Sequence, residues 1–208
     1  MMRPRILVIL GTTRQGRQGE HVARWLMTRL ARRADAEFEM VDLRDHPLPF
    51  FDHPVPPTSG QYGPEAQRWA QVIARGDGYI VVTPEYNHGY PAVLKNALDH
   101  VYREWNRKPV AFVSYGAAAG GFRAAEQLRQ VAIELQLMPI REQVGIPFPW
   151  MAFDDAGEPR QSGVDRALDG MVDDLLWWAH ALMAERAADL RANNWEDMPK
   201  PLPSPVGR

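Results

Sequence analysis

The chain has 208 residues, 45% of them hydrophobic, which is one ordinary domain with enough apolar side chains for a sizeable core and excludes disorder, collagen and small disulfide scaffolds. With 24 Lys and Arg against 26 Asp and Glu the formal charge is -2, so there is no basic excess to hold a nucleic acid. The 0 cysteines exclude disulfides, thiolate nucleophiles, iron–sulfur clusters and zinc knuckles, and any redox chemistry therefore needs a borrowed cofactor.

The first apolar run, Ile6-Leu7-Val8-Ile9-Leu10, is too short for a signal segment, and no run of about 18 apolar residues follows anywhere. A cytoplasmic protein with no membrane contact is expected. The run is continuous rather than alternating, which suits a strand buried on both faces of a parallel sheet. Val22, Leu26 and Leu30 give the next segment helical spacing, starting near Glu20. Phe38-Glu39-Met40-Val41-Asp42-Leu43 is a more polar strand that fits a sheet edge. Residues 44–64, with six prolines, break the pattern before a helical stretch over 64–75.

Ile80-Val81-Val82 and Val110-Ala111-Phe112-Val113 are again buried strands, separated by a helix carrying Val93, Leu94, Ala97, Leu98 and Val101. Phe122, Ala125, Leu128, Ala132 and Leu135 mark a further helix. Residues 140–146 are a weaker final strand, and a loop over 147–163 precedes a longer helix on Leu168, Val172, Leu175, Ala179 and Leu182. Five βα units without an internal repeat predict right-handed crossovers and an α/β three-layer sandwich, its five-stranded parallel sheet in the order 2-1-3-4-5. One domain over residues 1–190 is expected. The tail 191–208 has Pro199, Pro201, Pro203 and Pro205 at alternate positions and should run extended, laid on its own body or on a partner subunit.

In such a sheet, ligands bind beyond the carboxyl ends of the strands where strand order reverses, which singles out three loops. The first reads Gly11-Thr12-Thr13-Arg14-Gln15-Gly16-Arg17-Gln18-Gly19 and combines hydroxyls, guanidinium groups and a helix N-terminus, all donors for a phosphate. Its glycines lack the G-x-G-x-x-G spacing of a dinucleotide site, and Arg17-Gln18 replaces the Lys-Ser/Thr of a P-loop. A terminal monophosphate held by side chains remains, with an ordinary turn bearing solvated arginines as the alternative. Each charge-assisted bond is worth roughly 1.5–3 kcal/mol against about 0.3–1 kcal/mol for the helix dipole, so the arginines should dominate.

The second loop, Thr83-Pro84-Glu85-Tyr86-Asn87-His88-Gly89-Tyr90-Pro91, offers amides and aromatic faces to a flat heterocycle, although each residue taken singly also suits a plain turn. The third, Ser114-Tyr115-Gly116-Ala117-Ala118-Ala119-Gly120-Gly121, is small enough for a bulky ligand to approach its backbone, or simply uses its glycines for positive φ.

Together, Gly11-Thr12-Thr13-Arg14, the Pro84-Glu85-Tyr86-Asn87 motif with Pro91 and Leu94-Lys95-Asn96-Ala97-Leu98-Asp99, and the Ser114-Tyr115-Gly116 to Gly121 turn resemble the NAD(P)H-dependent FMN reductase family of flavodoxin-like proteins, which includes quinone, azo-dye and chromate reductases. The resemblance spans about residues 5–145. It implies FMN as cofactor and NADPH or NADH as co-substrate. Thr12, Arg14, Arg17 and the amides around Gly19 would hold the phosphate. Pro84, Glu85, Tyr86 and Asn87 would flank the isoalloxazine ring, and Ser114, Tyr115, Gly116 and Gly121 would line its pyrimidine side. Thr12 stands where the family usually has Ser, Arg17 often corresponds to a small hydroxyl residue, and Gly19 to Asn.

The family also implies a homodimer or homotetramer, with Lys95, Asp99 and Tyr102-Arg103-Glu104-Trp105 as interface candidates and the loop containing Phe50 and Phe51 bordering the site or a partner. The activity it implies is hydride transfer from NAD(P)H to flavin N5 and on to a small acceptor: a quinone, an azo compound, a metal oxyanion or free flavin. No catalytic side chain is then required. His88 is a candidate proton donor to a reduced quinone, or an ordinary polar loop residue. The six histidines include no H-x-x-x-H pair, so no metal site is expected. An electron-carrier flavodoxin and a non-catalytic flavin-binding module are the competing readings.

Overall fold

The computed structural model describes residues 3–191, and the predicted tail lies outside them from 192 onward. Five parallel strands form one sheet: β1 (Arg5–Leu10), β2 (Glu37–Asp42), β3 (Gly78–Pro84), β4 (Lys108–Gly116) and β5 (Leu137–Pro147). Their order is β2-β1-β3-β4-β5, as the alternation of apolar runs and amphipathic segments implies. The three central strands are buried on both faces, and β2 carries half-exposed positions as an edge strand does.

Among the described residues five α-helices cover the two faces: α1 (Gly19–Leu30), α2 (Pro64–Ala74), α3 (Ala92–Asp99), α4 (Phe122–Glu134) and α5 (Val164–Arg191). Strand alternation divides the core in two. Ile6, Val8, Leu10, Ile80, Val82, Val113 and Tyr115 pack with α1 and α5, while Leu7, Ile9, Tyr79, Val81, Val110 and Phe112 pack with α2, α3 and α4. No helix among the described residues is long and apolar enough to cross a membrane.

The predicted helix through Val101 stops at Asp99, with His100 as its C-cap. The following turn feeds Val101 and Trp105 into the core. The expectation that Trp105 lies at a subunit interface is therefore corrected, since its ring is 1% exposed and packs edge-on against Tyr79 at 4.9 Å and Trp69 at 6.3 Å. The indole N–H of Trp69 donates to the Ala97 carbonyl at 2.7 Å and that of Trp105 to Leu98 at 3.3 Å, satisfying α3's last carbonyls and fixing that helix against the sheet. Lys95 and Asp99 pair with each other across one turn of α3.

Asn96 fastens the proline-rich segment to α3. Its amide donates to Pro49 O at 2.8 Å and its carbonyl accepts from Phe51 N at 2.9 Å, while the Phe51 ring meets His100 edge-on. Phe50 beside it is 83% exposed. The final strand is longer than the 140–146 reading, because its polar residues lie on the outer edge and hide its length from a hydropathy pattern.

Candidate functional site

The carboxyl ends of β1, β3 and β4 are adjacent in register, with Leu10 opposite Val82 and Pro84 opposite Tyr115, so the three loops that follow meet at one edge. Glu85 N donates to Tyr115 O at 2.9 Å, tying the second loop to the third. Thr12 Oγ1 and Tyr86 Oη share a hydrogen bond at 3.0 Å, tying the first to the second.

The two arginines of the β1–α1 loop differ in environment. The Arg17 side chain is 2% exposed and forks onto Asp42 at the end of β2, with Nη1 to Oδ1 at 2.8 Å and Nη2 to Oδ2. It also donates to the Thr12 carbonyl and to Glu20. Burial works to raise the Asp42 carboxyl, but the Arg17 hydrogen bonds and charge, with the Arg44 amide, hold it below the usual carboxylate range. Arg44 reaches across from β2 and donates to the carbonyls of Thr13 and Arg14 and to Glu20. These contacts occupy the carbonyls of Thr12, Thr13 and Arg14. Among the described residues the Arg14 guanidinium is exposed without a hydrogen-bond or ion-pair partner, and the amides of Gln15, Gly16, Gln18 and Glu20 have no acceptor.

In the β3–α3 loop, Tyr86 and Gly89 exchange backbone hydrogen bonds of 2.8 and 3.0 Å around Asn87 and His88, whose φ values are +49° and +69°. Two left-handed central residues define a type I′ turn. Helix α4 holds this turn from the side. The Glu85 side chain, 6% exposed, accepts from Arg123 N at 3.1 Å and from its Nε at 2.6 Å, and pairs with Nη2. Arg123 Nη1 bonds His88 Nε2 at 2.8 Å, and Gln127 Nε2 donates to His88 O at 2.9 Å. Arg123 has only protons to give, so His88 Nε2 is an acceptor here and carries no proton.

The β4–α4 turn folds back on its own strand. Gly121, at φ +83°, passes so close that a Cβ would stand 2.6 Å from Tyr115 N and 2.8 Å from Ser114 Cβ. Ser114 Oγ donates to Gly120 O at 2.9 Å and fixes the turn. The small Ala117 and Ala118 remain exposed at its tip.

Residues 4–150 match the family model described as NADPH-dependent FMN reductase. The chain belongs to that family. An NAD(P)H-dependent FMN reductase of Schizosaccharomyces pombe is 43% identical over 149 residues, which is 69% of this chain and 74% of the relative. A quinone reductase of Pseudomonas putida is 34% identical over 162 residues, covering 74% of this chain and 83% of that one. Among solved structures, the flavoenzyme NAD(P)H:(acceptor) oxidoreductase of Paracoccus denitrificans superposes with a TM-score of 0.70 at 21% identity over 86% of this chain and 98% of its own, which is a likeness of fold.

As a member of the FMN reductase family the protein is an oxidoreductase, and the residues present fit its cofactor. Among the described residues, one buried polar atom at the start of α1 lacks a partner: the Tyr115 hydroxyl. Arg14, the loop amides and the N-terminus of α1 supply further donors there, with no acceptor facing them. Thr12, Arg14, Gly19, Pro84, Glu85, Tyr86, Asn87, Ser114, Gly116 and Gly121 come together around this edge of the sheet. Two of the sequence-predicted residues do not face it as expected. The Arg17 guanidinium is spent on Asp42, Glu20 and Thr12, and the Tyr115 ring turns to the α1/α5 side of the sheet, away from the Gly-rich turn.

Asp42, Arg44, Arg123 and Gln127 are not among the site residues expected from the sequence. Asp42 had a usable signal, since it ends the strand hydrogen-bonded to β1. Among the described residues no group of three or more His, Asp or Glu side chains is placed to hold a metal ion.

Proposed function

We propose that the protein binds FMN at the carboxyl edge of β1, β3 and β4 and oxidises NAD(P)H at the expense of a small conjugated acceptor. Held there by Arg14 and the β1–α1 loop amides and bordered by the Asn87–His88 turn, FMN would supply a redox centre able to take a hydride and hand on electrons. The observation that carries this reading is the set of unpaired donors at the head of α1 beside a rigid, aromatic-flanked turn.

The chain's own residues bind and orient. Arg14 and the free amides of the β1–α1 loop neutralise a phosphate dianion, and Arg17 keeps that loop in shape from below through Asp42. Arg123 and Gln127 hold the Asn87–His88 turn, whose backbone amides and the exposed tip of the Gly-rich turn border a flat ring. Tyr86, half out of the core and hydrogen-bonded to Thr12, forms a wall between the phosphate end and the ring end. No side chain at this edge is set up as a nucleophile. With Nε2 accepting from Arg123, the His88 ring is a neutral imidazole and is not set up as a proton donor in this arrangement.

The relatives named as quinone reductases support quinones as acceptors. A homodimer or homotetramer is part of the proposal, with the exposed Phe50 and the α3 face as its candidate surface, in a cytoplasmic protein. The deciding experiment adds FMN to the purified protein and then NADPH or NADH without oxygen. Bound flavin whose yellow band bleaches is the expected result. Failure to bind FMN ends the proposal, and bound flavin that neither nucleotide bleaches leaves a binding module instead.

A further inference from the structure

Tyr115 ends β4 on the α1/α5 face, where its ring is 4% exposed. Its hydroxyl is buried without a hydrogen-bond partner. A Cβ built on Gly19 would stand 2.5 Å from this oxygen, so the hydroxyl lies against the first residue of α1. The Gly19 amide approaches it without completing a hydrogen bond. A buried hydroxyl left unpaired destabilises the fold, and phenylalanine would fill the same core volume without that cost. An oxygen kept at such a point calls for an acceptor.

Burial pushes the Tyr115 hydroxyl above the usual phenol range, so it carries its proton at neutral pH and is a donor. The other groups at this point are donors as well: the Arg14 guanidinium, the amides of Gln15, Gly16, Gln18 and Glu20, and the positive end of α1. The neighbouring Thr12 hydroxyl already takes part in two contacts, with Tyr86 Oη at 3.0 Å and Arg14 N at 3.4 Å. A cluster of donors with no facing acceptor suits a doubly charged terminal phosphate.

We infer that the Tyr115 hydroxyl donates to the terminal phosphate of the bound flavin nucleotide, which makes Tyr115 a phosphate-end residue and not one lining the pyrimidine side of the ring. This rests on the FMN reading above, and the test separates the two. FMN and riboflavin differ only in that phosphate, so the dissociation constants of both are measured by flavin fluorescence for the wild type, Tyr115→Phe and Arg14→Ala, with melting temperatures alongside.

The expected result for Tyr115→Phe is FMN binding weakened about tenfold, riboflavin binding changed less than twofold, and a melting temperature unchanged or higher, since one bond to an anion is lost and an unpaired hydroxyl is removed. Inorganic phosphate should raise the melting temperature of the wild type more than that of Tyr115→Phe. If Arg14→Ala separates FMN from riboflavin while Tyr115→Phe shifts both equally or neither, the phosphate site stands and the role of Tyr115 is overturned. If neither variant separates them, both readings fall.

Discussion

Arg14 and Arg17 share one loop and one chemistry, yet the fold gives them opposite tasks. Arg17 is enclosed because β1 and β2 pair in the register that sets Leu10 beside Asp42, and a guanidinium at that depth needs a carboxylate in fork geometry. Asp42→Asn keeps the shape and removes the charge. Glu20 and the Thr12 carbonyl remain as partners, so the loss should be about 2–4 kcal/mol, somewhat below that of an isolated buried ion pair. Urea unfolding at pH 7 measures it, and a loss under about 0.5 kcal/mol would show that Arg17 does not depend on this partner. The acid limb of the stability curve adds a check. With its ionisation held below the usual range in the folded chain, Asp42 contributes stability that is whole above about pH 4 and disappears as the pH falls through its folded value. The substitution should flatten that limb.

The β3–α3 turn owes its shape to an element outside itself. Asn87 and His88 both sit in the left-handed region, which costs most residues about 1 kcal/mol each, although Asn tolerates it better. Helix α4 offsets this through Arg123 and Gln127. Arg123→Ala leaves the Glu85 carboxylate with a single backbone donor at a nearly closed position, and a stability loss of about 2–3 kcal/mol with weaker FMN binding is the expected outcome. Lys at this position should recover only part of it, having no fork. Asn87→Gly relieves the turn and should restore some of the flavin affinity lost in Arg123→Ala; calorimetric titration of the single and double variants would expose simple additivity, which would mean that α4 does not hold the turn. At this scale the sequence is readable where one periodicity decides. The apolar runs of β1, β3 and β4 gave the sheet, and the Pro84-Glu85-Tyr86-Asn87 motif gave the loop. The clamp on that loop was not readable, because it joins residues 38 positions apart. The direction of Tyr115 was within reach, since the same parity that places Val113 on the α1/α5 face places Tyr115 there too.

The site occupies one end of the sheet, and the opposite end holds a charge that the fold tolerates at a cost. Lys108 opens β4 almost fully buried, donating to the Ile73 and Ala74 carbonyls at the end of α2 and to Tyr79 Oη at 3.1 Å. Burial first, and then the nearby Arg186 charge, lower its pKa from 10.5 to about 7, against the weaker pull of Asp77 and Glu104. Between those values the unfolded chain binds a proton that the folded chain has released, so stability should rise with pH from about 7 towards 10. Below pH 7 both states are charged and the penalty is at its full size, at most about 5 kcal/mol. Above pH 10 the trend should reverse, because Tyr79 and Tyr62 are held protonated in the fold, Tyr62 up to about 12, while their unfolded counterparts ionise. Lys108→Met removes the ammonium and leaves two helix-end carbonyls to water or to each other's neighbours, so its stability at pH 7 changes by the difference of two opposing effects. Its slope is the cleaner observable. Denaturant midpoints taken from pH 6.5 to 10 should climb in the wild type and stay level in Lys108→Met. Equal slopes in the two proteins would mean that Lys108 keeps its proton through this range and that the rise, if present, comes from elsewhere in the chain.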